Sequence, residues 1–152
     1  MNSDLTNISP TFYGISMVPK NKWREYGFAL LTIAGSDGIV SDPELEWLTL
    51  DMAKEVGVDE EIVADWEEFD FEAAELDEIF SSFNSSALAG FSKLLIYDAI
   101  RMSSADGDYA LEEKEQVYDA ARILRVPQEV VIAIEALVDL EQAANKLRLT
   151  IL

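Results

Sequence analysis

Apolar residues recur every three or four positions through most of this chain, and that spacing predicts helices almost throughout. From Lys22 to Ala34, Trp23, Tyr26, Leu30 and Ile33 fall near the helical period. Gly35 follows as a plausible stop. Ser41-Asp42-Pro43-Glu44 reads as a capping box, with Ser41 at the cap and Glu44 three residues on. The helix it opens runs to about Val56, with Leu45, Leu48, Met52 and Val56 on one face and Gly57 closing it. Asp59 opens a short helix from Glu60 to about Phe69, and Asn84-Ser85-Ser86 breaks the chain. Leu88, Phe91, Leu95, Ala99 and Met102 make the stripe of a long helix. Glu112 to Leu124 forms another, with Val117, Ala121 and Leu124 inward. Pro127 then reads as the first residue of a last helix. That helix passes through Val131, Ile134, Leu137 and Val138 towards Leu147, with room for a break along it. The best strand candidate, Val130 to Ile134, sits inside a helical period. The expected fold is all-α: a single-domain bundle of about seven or eight helices. Residues 1–20 are punctuated by Ser, Thr, Asn and Pro and read as a loose N-terminal arm, from which Phe12, Tyr13 and Met17 can dock on the core.

The helices fall into an internal repeat. Asp37-Gly38, five residues and Glu44 recur as Asp106-Gly107, five residues and Glu113, at an offset of 69 residues. Residues 28–63 align with 97–131, the offset slipping to 68 after the motif. Each copy reads helix, Asp-Gly turn, helix, short turn, helix. A unit of that size cannot bury its own apolar face, so the two copies are expected to pack as a pseudo-symmetric pair within a domain spanning residues 21–152. Residues 64–84 would connect them. From 59 to 79 there are eleven acidic residues and no basic one, yet Trp66, Phe69, Leu76 and Ile79 are interleaved, so the stretch is amphipathic.

Composition narrows the chemistry. The formal charge is −19, from 30 acidic and 11 basic residues. A chain so acidic lacks the Lys/Arg footprint that nucleic acid requires, and anionic lipid repels it. It suits cations or basic partners. With no cysteine and no histidine, disulfides, thiolate nucleophiles, Cys/His zinc sites and His-based proton transfer are all excluded. A bound metal would have only oxygen ligands, which points to Ca²⁺, Mg²⁺ or Mn²⁺. The first residues lack a signal-peptide pattern, and no apolar run approaches the length of a membrane span, so the expectation is a cytoplasmic protein without direct membrane insertion.

The repeated motif has two readings. A Gly after Asp permits a sharp turn, so the Asp oxygen and the Glu of the next helical turn can converge. Acidic residue, Gly, five residues, Glu is also the second half of an EF-hand loop. The first half is missing, since Ile33 and Gly35, or Met102 and Ser104, stand at the earlier ligand positions. Candidate ligands for a weak divalent cation are Asp37, Glu44, Asp106, Glu113 and Asp108, with Asp42 and Glu112 able to add oxygens. The structural reading is that both motifs simply start helices, where capping and the macrodipole favour a carboxylate. Trp23, Trp47 and Trp66 read as core or groove residues rather than a cofactor box. Ser36, Ser41 and Ser104 have no nearby base, so a serine nucleophile has little support. A carboxylate pair acting as acid and base is a distant third option.

The stretch Leu30-Leu31-Thr32-Ile33-Ala34-Gly35-Ser36-Asp37-Gly38-Ile39-Val40-Ser41-Asp42-Pro43-Glu44 resembles the TerB-like domain. That family also includes the N-terminal region of a membrane-anchored DnaJ-type co-chaperone. Met102-Ser103-Ser104-Ala105-Asp106-Gly107-Asp108-Tyr109-Ala110-Leu111-Glu112-Glu113 fits the same form, with Ala110 where the family often has Ser. The likeness covers about residues 22–140. It implies a duplicated all-helical fold, bacterial origin, a link to tellurite resistance and stress response, and a metal-binding acidic site at Asp37, Glu44, Asp106 and Glu113. The expected function is therefore a non-enzymatic module that binds a divalent cation weakly. The alternative is a protein-interaction adaptor without metal, using its acidic surface or an inter-repeat groove for a basic or membrane-associated partner.

Overall fold

The computed structural model describes residues 13–35, 38–71, 78–79, 90–105 and 109–152. In chain order the α-helices are α1 (Tyr13–Ser16), α2 (Trp23–Ala34), α3 (Asp42–Glu46), α4 (Ala53–Val56), α5 (Glu60–Glu68), α6 (Ser92–Ser103), α7 (Leu111–Ile123) and α8 (Gln128–Ile151). A 3₁₀ turn, Lys20–Lys22, leads into α2, and a π-helical segment, Trp47–Met52, joins α3 to α4. No strand occurs among the described residues. The architecture is the expected all-α single domain.

The core is built around α2 and α6. Tyr26, Leu30, Leu31 and Ile33 from α2 meet Leu95, Ile96, Ile100 and Met102 from α6, all at most 1% exposed. Helices α7 and α8 close one side through Val117, Ala120, Ala121, Val131 and Val138. Residues Leu48 and Met52 of the π segment and Trp66 of α5 close another. The wider turn of the π segment brings Trp47 toward the face of Leu48 and Met52, so all three are buried. A plain helical period had grouped Leu48 and Met52 without Trp47.

The N-terminal arm from Tyr13 onward is docked, against the expectation of a loose segment. Ile15 and Val18 are buried. The Trp23 indole N–H donates to the carbonyls of both, at 3.1 and 2.9 Å. Gly14 is required because a Cβ there would overlap the Asp98 carboxylate. Residues 1–12, with Phe12, lie outside the described residues, as does much of the acidic connector. Pro127 is the N-cap, in extended conformation with ψ 147, rather than the first helical residue. The last helix then runs unbroken for 24 residues.

Candidate functional site

The two motifs start their helices differently. In the first, Ser41 is the N-cap. Its hydroxyl accepts from the Glu44 backbone N–H at 3.3 Å, and Glu44 Oε1 accepts from the Ser41 N–H at 3.0 Å. This reciprocal box holds the Glu44 carboxylate, only 5% exposed, against the helix start. In the second motif Ala110 is the N-cap with the same extended backbone, φ −68 and ψ 162, and no side-chain cap. Glu113, the counterpart of Glu44, is half-buried in the first turn of α7. Asp37, Asp106 and Asp108 lie outside the described residues. Among the described residues no three carboxylates are grouped to hold a metal.

Around Glu113 the structure adds residues that the sequence pattern did not reveal. Glu135 of α8 reaches α7, where its Oε1 accepts from the Tyr118 hydroxyl at 2.7 Å and its Oε2 lies 4.0 Å from the Lys114 ammonium. Tyr109, which follows Asp106-Gly107-Asp108 in sequence, joins the group. Its hydroxyl, Glu113 Oε2 and Glu135 Oε2 are all buried oxygens, and neither the Tyr109 hydroxyl nor Glu135 Oε2 has a hydrogen bond of sound geometry among the described residues. Burial, then the Glu135 carboxylate, with Tyr118 and Glu113 adding to it, pushes the Tyr109 phenol far above its ordinary pKa. The Tyr118 phenol is raised to about 12 by burial and by Glu135. Two carboxylates and two neutral phenols therefore share one partly buried patch at the start of the second motif.

A second polar cluster lies deeper. Asp98, fully buried, accepts from the Tyr26 hydroxyl at 2.7 Å and lies 3.4 Å from Arg101 Nη1. The Arg101 guanidinium stands over both the Trp47 and Tyr97 rings, at 5.4 and 5.2 Å. Burial lifts the Asp98 carboxyl to about 6, with Arg101, Tyr26 and the Ile15 backbone N–H pulling the other way. Asp98 thus ties α1, α2 and α6 together. The signal that could have found it is an Asp inside the apolar run Leu95-Ile96-Tyr97-Asp98-Ala99-Ile100, because an acidic residue is rarely buried unless partnered. The tryptophans are core or groove residues, and Ser104 donates to the Ile100 carbonyl at 2.7 Å, a purely structural bond.

The sequence matches no family model and no curated relative. A solved structure does match: a tellurite resistance protein from Nostoc punctiforme, 24% identical, with a TM-score of 0.77 over 93% of this chain and 94% of that one. The chain has the TerB-like fold. Because the match spans nearly the whole of both chains, that fold accounts for the full domain. No helix among the described residues is long and apolar enough to cross a membrane.

Proposed function

We propose that this chain is a non-enzymatic TerB-like binding module that takes a hard divalent cation weakly at its second Asp-Gly motif. Support comes from the buried oxygens of Tyr109 and Glu135, brought into one patch with the Glu113 carboxylate. Carboxylate and phenol oxygens gathered in this way suit a hard cation. In sequence, Asp106 and Asp108 precede Tyr109 by three residues and by one. Glu44 serves chiefly as a helix start, since its Oε1 is already engaged by Ser41. Oxygen donors alone select Ca²⁺, Mg²⁺ or Mn²⁺. A link to tellurite resistance is then indirect, because a chain at −19 repels an oxyanion and has no thiol to reduce or trap tellurium. The module acts by sensing a cation within a bacterial stress response. Calorimetric titration with each metal tests this. Asp106→Asn with Asp108→Asn abolishes the heat, and absence of heat or thermal shift at millimolar metal in the native chain refutes the proposal.

The adaptor reading is favoured by a separate observation. Between the π segment, α4 and α5 runs a groove of about 320 Å³ with Leu50, Val58 and Val63 along it and Glu60 and Glu67 beside them, against a single Lys54. Its apolar floor and acidic edge suit a basic amphipathic helix. A Lys/Leu-rich helical peptide binds the native chain and loses affinity in Glu60→Lys, Glu67→Lys, while the metal heat is unchanged. No binding of that peptide removes this second reading.

A further inference from the structure

Helix α8 extends well past the bundle. Val138 is 2% exposed, and no residue after it is buried. Leu137, Leu140, Leu147 and Ile151 are 47%, 68%, 59% and 68% exposed, and with the exposed Ala144 they follow one another in alternating steps of three and four. That is the a/d seam of a coiled coil, about 21 Å long over 14 residues of helix. The side of α8 that packs on the bundle is a different one, marked by Val131 and Val138. The seam also runs into a cleft of about 430 Å³, which Leu140, Ala144 and Arg148 line together with Trp47, Ser104 and Ala105.

Charge identifies the occupant. From Glu135 to Glu141 the helix carries three acidic residues and no basic one, and from Gln142 to its end it carries Lys146 and Arg148 and no acidic side chain. Laid antiparallel on itself, the acidic half meets the basic half twice. Antiparallel seams interleave each a position with a d position, which leaves two registers. One sets Glu141 against its own copy and is repulsive. The other sets Leu140 against Ile151, Ala144 against Leu147, and Glu141 beside Arg148 of the second copy. Glu141 is already held in place, since both its oxygens accept from the Tyr97 hydroxyl, at 2.6 and 2.8 Å, and a carboxylate has lone pairs left for a guanidinium. In this register the small Ala144 faces the larger Leu147, so each layer can close.

We infer that α8 is a self-association element: two copies of this chain pair antiparallel through Leu140, Ala144, Leu147 and Ile151, with reciprocal Glu141–Arg148 ion pairs. The contact is isologous, so it closes as a two-fold dimer and does not propagate. It is independent of the cation reading.

Sedimentation equilibrium on the full chain tests it, at concentrations up to about 100 µM, where a short interface of this kind is populated. The native chain is expected to dimerise and to dissociate on dilution. Arg148→Glu, which sets like charges together in both pairs, is expected to weaken the dimer at least tenfold. Leu140→Asp is expected to abolish it. Both positions are exposed, so far-UV circular dichroism stays native. The chain has no cysteine, so single substitutions report orientation cleanly. Leu140→Cys and Ile151→Cys cross-link through a short thiol reagent when mixed, and neither does so alone. A native chain that stays monomeric overturns the inference. So does a dimer unaffected by Arg148→Glu, or cross-linking of Leu140→Cys with itself, which marks a parallel pair.

Discussion

Asp98 shows how a single residue can be decided by partners far away in sequence. Its carboxyl is raised to about 6 chiefly by burial, against an ordinary value near 3.8 in the unfolded chain. Between these two values the folded state holds a proton that the unfolded state has released. The contribution of Asp98 to stability is therefore present below about pH 4 and is lost as pH rises through 6, a change of about 3 kcal/mol at most. Asp98→Asn has no such loss. Urea unfolding at pH 4 and pH 7 is expected to show the variant gaining on the native chain by that order, and a pH-independent difference contradicts the assignment. Tyr26→Phe removes the 2.7 Å hydrogen bond and leaves the carboxylate less compensated, at an expected cost of about 2 kcal/mol. The two helix starts give a paired test. Ser41→Ala is expected to cost about 1 kcal/mol, whereas Ala110→Ser, on a backbone already at φ −68 and ψ 162, is expected to add up to about 1 kcal/mol by completing the missing cap. Thermal melts of both variants check this. The Ser41 box was legible in the sequence because capping is local. The Asp98 network was not, because Gly14 and Tyr26 reach it from separate elements.

At the scale of elements, the apolar period located the helices well where burial follows a simple stripe. Helix α2 begins at Trp23 and ends at Ala34, within a residue of expectation, and α7 spans Leu111–Ile123. Gly57 ends α4 in the left-handed region at φ 83, so Gly57→Ala is expected to destabilise by about 1 kcal/mol, measurable by chemical denaturation. The π segment was not legible, because the wider turn that buries Trp47 with Leu48 and Met52 answers to tertiary packing against α5 and to the Arg101 guanidinium over Trp47. The continuity of α8 was masked by its composition. Its distal half buries nothing in the bundle, so the stripe that marks an inward face fades, although good helix formers such as Leu, Ala, Gln and Lys carry the helix on.

For the molecule as a whole, the Asp-Gly-x5-Glu pattern that occurs twice in the sequence opens two helices with unequal chemistry. The first motif spends Glu44 on its helix start, while the second lacks the serine and gathers Glu113, Glu135, Tyr109 and Tyr118 at its own. Half of that patch was legible, since the motif spacing gave Glu113. Glu135 was not, because it arrives from α8 across the bundle. A charge of −19 favours cation capture at either motif through its long-range field, and that part is screened by salt. What singles out the second motif is local geometry, so the decisive experiment compares the two carboxylates under one ionic condition. Calcium titration calorimetry on the native chain, Glu113→Gln with Glu135→Gln, and Glu44→Gln does this directly. The account predicts weak binding that disappears in the Glu113/Glu135 variant and persists in Glu44→Gln, whereas equal heats in all three proteins, or none in the native chain, would contradict it.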